Sequence, residues 1–242
     1  METGKKQNLF FILAGFFLTN ALLAEIIGAK IFSLEKLIGI APAQIPFLGY
    51  KLDLNLTAGV LIWPVVFVVS DIINEYFGKE GVKKISYVIA GFILFAFIVI
   101  YSASHLPAAD FWLDVNKIDQ DGNPLNINNA FSMIFRQGMG IIAGSLTAFL
   151  IGQVIDATVF HRIKLATKEK HIWLRATGST IVSQFIDSFV VLLIAFYFFG
   201  NWSLDLVLAV GMVNFLYKIT VAIILIPVLY LAHHLIDRYL GK

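Results

Sequence analysis

The chain has 242 residues, of which 59% are hydrophobic and 14% charged, with a mean hydropathy of +0.83. Soluble chains carry about 25% charge, so a soluble globule is excluded. Eighteen Lys and Arg against 16 Asp and Glu leave +2, too even a balance for a nucleic-acid binder; the absence of cysteine and the scatter of the five His remove disulfide frameworks, thiolate metal sites and H-E-x-x-H spacing.

A bilayer core of about 30 Å needs about 20 mostly apolar residues per helix. The first stretch that qualifies runs from about residue 9 to 28. Lys5 and Lys6 precede it as in a signal peptide, but it is long, lacks a small-x-small site, and is interrupted by Asn20 and Glu25, so it is expected to remain in the protein. The connection from Lys30 to Asp53, with Pro42, Pro46 and Gly49, reads as a short hairpin or a re-entrant piece. A second span covers 54–75 and a third 85–105. The segment from Leu106 to Ala130 carries four Asp and a D-G-N-P turn at Asp121 to Pro124, as an outer solvated loop would. The remaining spans are 131–160, 173–200 and 206–234. A single domain, an all-α membrane protein of six transmembrane helices, is therefore expected.

Twelve of the 18 basic residues fall in segments that share a side with the N-terminus; four (Lys30, Lys36, Lys51, Lys117) fall in the opposite loops, and Arg136 and Lys218 lie inside spans. The positive-inside rule then predicts cytoplasmic N- and C-termini.

Ionisable groups inside a bilayer cost roughly 3 kcal/mol or more each, so each one calls for a partner or a wet cavity. On the fifth span Thr177, Thr180, Ser183, Gln184, Asp187 and Ser188 fall within an arc of roughly 140°, opposite an apolar face. Asp187 is halfway through that span. Asn214 and Lys218 lie one turn apart on the sixth, and Lys218 is the natural partner of Asp187. Asn20 sits near the middle of the first span; Glu25, Arg136 and Gln137 lie toward the outer surface and read as an outer vestibule or as groups that snorkel. Gly140, Gly144, Ala148 and Gly152 form a small-residue ridge suited to a crossing helix.

Near the inner end of the second span Asp71, Asn74 and Glu75 occur at i, i+3 and i+4, in line with Pro64, whose missing N–H loosens the helix. Asp156 reaches a similar depth on the fourth. Two readings stay open for this acidic group: an inner gate and proton route, or pairing with Lys79, Lys83, Lys84 and Arg162 at the interface. A twelve-residue spacing from Gly59 to Asp71 recurs from Gly144 to Asp156, an echo of the internal symmetry common in transporters.

The segments A-G-V-L-I-W-P (Ala58 to Pro64) with S-D-I-I-N-E-Y-F-G (Ser70 to Gly78), G-S-L-T-A-F-L-I-G-Q-V-I-D (Gly144 to Asp156), W-L-R-A-T-G-S-T-I-V-S-Q-F-I-D-S (Trp173 to Ser188), and Tyr217-Lys218 with Pro227 and Tyr230, resemble in consistent order the queuosine precursor transporters, also called the putative vitamin uptake transporter family. The resemblance implies a multi-pass inner-membrane importer of 7-deazaguanine bases for tRNA modification; the depth and facing of the polar groups add the expectation of a secondary transporter, and the lack of catalytic motifs that of no enzyme. It also implies an architecture similar to the substrate-binding components of energy-coupling-factor vitamin importers, and the alternative function is such a subunit of an ATP-driven importer. No cofactor, metal or nucleic acid is expected; the partners are the base, the bilayer and, compatibly with the sequence, further copies of the chain.

A deazaguanine presents N1–H and a 2-amino group as parallel donors that a carboxylate accepts, for which Asp187 or Glu75 is suited, and an O6 that suits Asn, Gln, Lys or Arg. Its ring would stack on aromatics such as Phe16, Phe17, Trp63 or Phe67. The expected base site is Asn20, Trp63, Gln184, Asp187, Asn214 and Lys218, with release past Asp71, Asn74, Glu75 and Asp156.

Overall fold

The computed structural model describes residues 2–28, 30–135 and 139–241. The elements in chain order are α1 (Glu2–Ile27), β1 (Ile31–Ser33), α2 (Leu34–Ile38), β2 (Ile45–Phe47), β3 (Tyr50–Leu52), β4 (Asn55–Thr57), a 3-10 turn (Ala58–Leu61) and α3 (Trp63–Ala103). Then follow α4 (Asp110–Val115), α5 (Ile127–Phe135), α6 (Met139–Ala166), α7 (Ile172–Leu192) with a π-helical continuation (Leu193–Phe198), α8 (Leu204–Ile224) and α9 (Ile226–Leu240). Among the described residues five helices are long and apolar enough to cross a membrane: Gly4–Ile27, Trp63–Ala103, Ala143–Ala166, Ile172–Phe198 and Leu204–Ile224.

Three boundaries differ from the sequence expectation, each for a local reason. The loop expected between the second and third spans is helical, because Lys79, Glu80, Lys83 and Lys84 are good helix formers and outweigh Gly81. The only non-helical backbone in the 41-residue α3 is Gly78 (φ 72°, ψ 177°), a conformation that a residue without Cβ adopts without strain. The helix also starts at Trp63, not residue 54, since Asn55–Thr57 pairs with Ile31–Ser33 as an antiparallel ribbon. Pro64 therefore occupies the first turn, where its missing N–H costs nothing, and it does not loosen the helix. The last expected span is two helices, α8 and α9, meeting at Leu225 two residues before Pro227.

The connection from Lys30 to Asp53 takes the hairpin form. β2 and β3 pair around Leu48 and Gly49, both at positive φ as a tight two-residue turn requires. Glu35 stitches this cap together: its carboxylate accepts from the backbone N–H groups of Leu54 and Ala43 and from the Ser33 hydroxyl, and it is wholly enclosed. Those bonds, the one from Leu54 first, hold the Glu35 carboxyl below its ordinary range. Because the folded group binds its proton more weakly than the unfolded one, the stabilisation is present above the unfolded pKa of about 4.3 and is lost as pH falls through the lower folded value. Glu35→Gln is expected to expose residues 30–57 to protease at neutral pH, whereas the parent chain reaches comparable cleavage only in acid.

Two ends of the bundle are recognisable from side-chain pairs. At one end Glu25 accepts from Ser145, an added Cβ on Gly59 would meet the Ala24 carbonyl at 2.8 Å, and Tyr50 meets Ser203 at 2.9 Å. At the other, Phe10 packs edge-on against Phe77, Lys5 reaches the Tyr239 carbonyl, and Tyr76 bonds to Asp237 and His233. Between them Phe17, Val66, Ile73, Ile89, Ile93 and Phe160 form the buried core, and Phe11, Ile12, Phe95 and Ile98 face outward as lipid-facing side chains do.

The expected small-residue ridge, on α6, packs against α7. A Cβ on Gly144 would meet the Val191 carbonyl at 3.0 Å and the Ala195 amide at 3.3 Å, Ala148 is 1% exposed, and Gly152 faces the Asp187 Cβ. Gly144→Val is expected to cost about 1–3 kcal/mol by forcing two backbones apart, read as a fall of several degrees in the unfolding temperature of the detergent-solubilised protein.

Candidate functional site

α6 and α7 run antiparallel along the ridge, which presents the polar arc of α7 inward. Thr180, Ser183, Gln184 and Ser188 are all buried. α3 runs beside α6 in the same direction: Trp63 is tilted against Phe149, Ser70 Oγ donates to Gln153 Oε1 (2.8 Å), and Asn74 Nδ2 donates to the Ala157 carbonyl (3.3 Å). Polar side chains from three helices thus meet in the middle of the bundle, and α8 closes the fourth side.

Lys218 Nζ bonds to Asp187 Oδ2 at 2.5 Å, the two side chains keeping 19% and 23% of their exposure. The pair stands between two cavities. The larger, about 580 Å³ with its mouth, is lined by Trp63, Phe67, Asp71, Thr177, Thr180, Tyr217 and Lys218 together with apolar groups of α3, α8 and α9. The smaller, about 290 Å³, is lined by Trp63, Phe67, Phe149, Gly152, Gln153, Asp156, Ser183, Gln184 and Asp187. Trp63 and Phe67 belong to both walls; their rings stack 5.9 Å apart at 20°, a flat aromatic surface. The larger cavity has the lining of a small-molecule site, mostly apolar with a few fixed polar groups. The Gln184 Oε1 has no hydrogen-bond partner, an acceptor left for something to meet.

The remaining expected residues are distributed more widely. Trp63, Gln184, Asp187 and Lys218 are brought together. Asn20 is not: its amide donates to the Phe16 carbonyl of its own helix, and it lines neither described cavity. Asn214 lines neither as well. Of the candidate stacking rings, Phe16 is 51% exposed on the outside and Phe17 is sealed in the core against Phe149, so Trp63 and Phe67 alone are available. Glu25 does not snorkel; it is 7% exposed and accepts from Ser145. Arg136 and Gln137 lie outside the described residues.

The inner acidic group splits. Glu75 is held by Arg175 Nη2 (2.8 Å) and Lys164 Nζ (3.1 Å), not by Lys79, Lys83, Lys84 or Arg162. Arg175, 3% exposed, also donates to the Glu169 carbonyl at 2.8 Å and lies over the Phe160 ring, so this knot ties α3, α6 and α7 at the end of the bundle where Lys5 meets Tyr239. Because a doubly paired carboxylate has little left to offer a base, Asp187 is the better candidate for the parallel donors. Among the described residues Asp71 and Asp156 have no such cations; Asp156 accepts from Ser183 (3.1 Å). Sequence reasoning missed Gln153, Ser70, Tyr217 and the inward reach of Lys164 and Arg175. The repeated Q-x-x-D of Gln153 and Gln184 was the available signal for the first.

A family profile described as putative vitamin uptake transporter matches residues 57–232. A protein of Bacillus subtilis (strain 168) named "Probable queuosine precursor transporter" is 27% identical over 197 residues, 76% of this chain and 75% of its own length. One of the same name from Haemophilus influenzae is 27% identical over 203 residues, covering 75% and 74%. The Escherichia coli (strain K12) "Queuosine precursor transporter" is 23% identical over 199 residues, 79% of both. No solved structure gives a significant match.

Proposed function

The chain belongs to the putative vitamin uptake transporter family, a multi-pass membrane transporter and not an enzyme, and on that premise we propose that it imports queuosine precursors, 7-deazaguanine bases, across the inner membrane as a secondary transporter. One observation carries the reading: a carboxylate–ammonium pair, Asp187 with Lys218, stands between two cavities that share the stacked wall of Trp63 and Phe67. The flat wall suits a planar heterocycle; Asp187 suits its paired N–H donors, and Lys218 its carbonyl. Gln184 offers one more acceptor.

The proposal includes six crossings with both termini in the cytoplasm. Lys5 bonds to the Tyr239 carbonyl, and this closeness of residues 5 and 239 supports an even number of crossings. At 1.5 Å per residue α3 would reach about 60 Å, twice a bilayer core, and Gly78 divides it beside the cluster Lys79, Glu80, Lys83 and Lys84. Counting α3 twice gives six. In this arrangement the Glu75–Arg175–Lys164 knot is the inner gate, shut in the described conformation, and base is released past Asp71, Asn74 and Asp156 when it opens.

The test is rescue of a queuosine-auxotrophic strain that lacks its own importer, with nitrile, aminomethyl and mature bases supplied in turn. Restored queuosine in tRNA with one or more of them is expected; no rescue with any base, from a chain present in the membrane, rejects the substrate class. Rescue that vanishes when ATP-driven importer partners are deleted assigns the chain to the energy-coupling-factor alternative.

A further inference from the structure

Below the Asp187–Lys218 pair, the seam between α3, α6 and α7 carries a charge excess that the transported base does not explain. Asp71 is 6% exposed, Asn74 2% and Asp156 6%. Ser70–Gln153 and Asn74–Ala157 are successive rungs between α3 and α6, so Asn74 lies against the turn that bears Asp156. Ser183 joins the same carboxylate from α7. Among the described residues no Lys, Arg or His nitrogen is within ion-pair distance of Asp71 or Asp156: Lys218 is taken by Asp187, and Arg175 and Lys164 by Glu75.

Two orphaned acceptors lie beside the two carboxylates. Asp71 Oδ1 and Asn74 Oδ1 are buried with no hydrogen-bond partner, and Asn74 points its amide nitrogen, not its oxygen, at α6. Protonating Asp71 would let its O–H donate to the Asn74 oxygen but would leave the Asp156 carboxylate charged. A hard cation answers both needs, since it binds carboxylate and amide oxygens together. Two carboxylates and neutral oxygens from three helices, with no soft or imidazole donor among them, suit a small alkali cation better than a transition metal. Transporters commonly bind such ions near mid-membrane beside the substrate.

We propose that Asp71, Asn74 and Asp156 bind one sodium ion at the margin of the two cavities, whose walls include Asp71 and Asp156. Its use is coupling: the ion's gradient would drive uptake, which rests on the importer reading, whereas binding itself does not. An ion neutralising this seam would also bridge α3 to α6, one turn above the knot at Glu75, so its occupancy and the closure of the inner end would depend on each other.

The experiment measures binding of ²²Na⁺ to the purified full-length protein in nanodiscs without any base. Saturable binding near one ion per chain is expected, displaced by unlabelled Na⁺ and by Li⁺ but not by K⁺. Asp71→Asn and Asn74→Ala each weaken it by about tenfold or more, while the exposed Glu80→Gln leaves it unchanged. Sodium should also raise the unfolding temperature of the parent protein relative to choline, and not that of Asp71→Asn, a comparison made within each folded variant. Absence of saturable binding from protein that still binds a deazaguanine base overturns the proposal, as does binding that survives both substitutions. Base binding that responds to pH but not to sodium overturns it in favour of a proton. Failure of the base to bind or be taken up, with ²²Na⁺ binding intact, would count against the importer reading and not this one.

Discussion

Asp187→Asn is expected to lower uptake of a labelled deazaguanine base by more than about tenfold without loss of the protein from the membrane. The asparagine keeps the size of the side chain but replaces one acceptor oxygen by a donor, so it can no longer accept two parallel N–H bonds; a charge-assisted bond lost in this way is worth about 1.5–3 kcal/mol, or 10–100-fold. Stability and function are separable here. Removing one member of a buried ion pair leaves its partner uncompensated, at about 3–5 kcal/mol when burial is complete. With 19% and 23% of exposure remaining, Lys218 and Asp187 should suffer less. Lys218→Met alone should therefore reduce both the unfolding temperature and uptake, while the double variant Asp187→Asn, Lys218→Met should recover the unfolding temperature and remain without uptake. Recovery of uptake in the double variant would make the pair a structural clip and remove it from the base site.

That pair was legible in the sequence because hydrocarbon leaves so few choices: a carboxylate and an ammonium at matched depth on successive spans have little alternative to meeting. The arc of Thr180, Ser183, Gln184 and Ser188 was legible for the same reason, and all four are buried. Where a polar side chain has a local partner the inference fails. Asn20 satisfies its amide on the carbonyl one turn back, which periodicity does not distinguish from facing a cavity. Lys164 and Arg175 lie near span ends, where a charge count has them face water, yet their long stems carry the charge to Glu75; position along the chain fixes where a Cα lies, not where a guanidinium ends. The breaks at Gly78 and Leu225 show the limit on span boundaries: hydropathy averages over a window, whereas one glycine or one proline sets the backbone at a point.

The Glu75 knot gives the second large effect. Glu75→Gln should open the inner end, because the neutral amide keeps at most one weak bond to each cation and the two charge-assisted contacts, at 2.8 and 3.1 Å, are lost. If those contacts hold the closed state by about 1.5–3 kcal/mol more than the open one, the open population rises about 10–100-fold. The chain contains no cysteine, so Thr177→Cys, on the wall of the larger cavity two residues beyond Arg175, would be its only thiol. A membrane-impermeant maleimide applied to inside-out vesicles should label this thiol about tenfold faster when Glu75→Gln is also present, and no faster when applied from the opposite face. Equal rates from the cytoplasmic face would mean that the knot only packs three helices together. Faster labelling from both faces would mean that it supports the whole bundle. Faster labelling from the inner face alone is the signature of a gate, because only a two-state element tied at one end changes accessibility on one side.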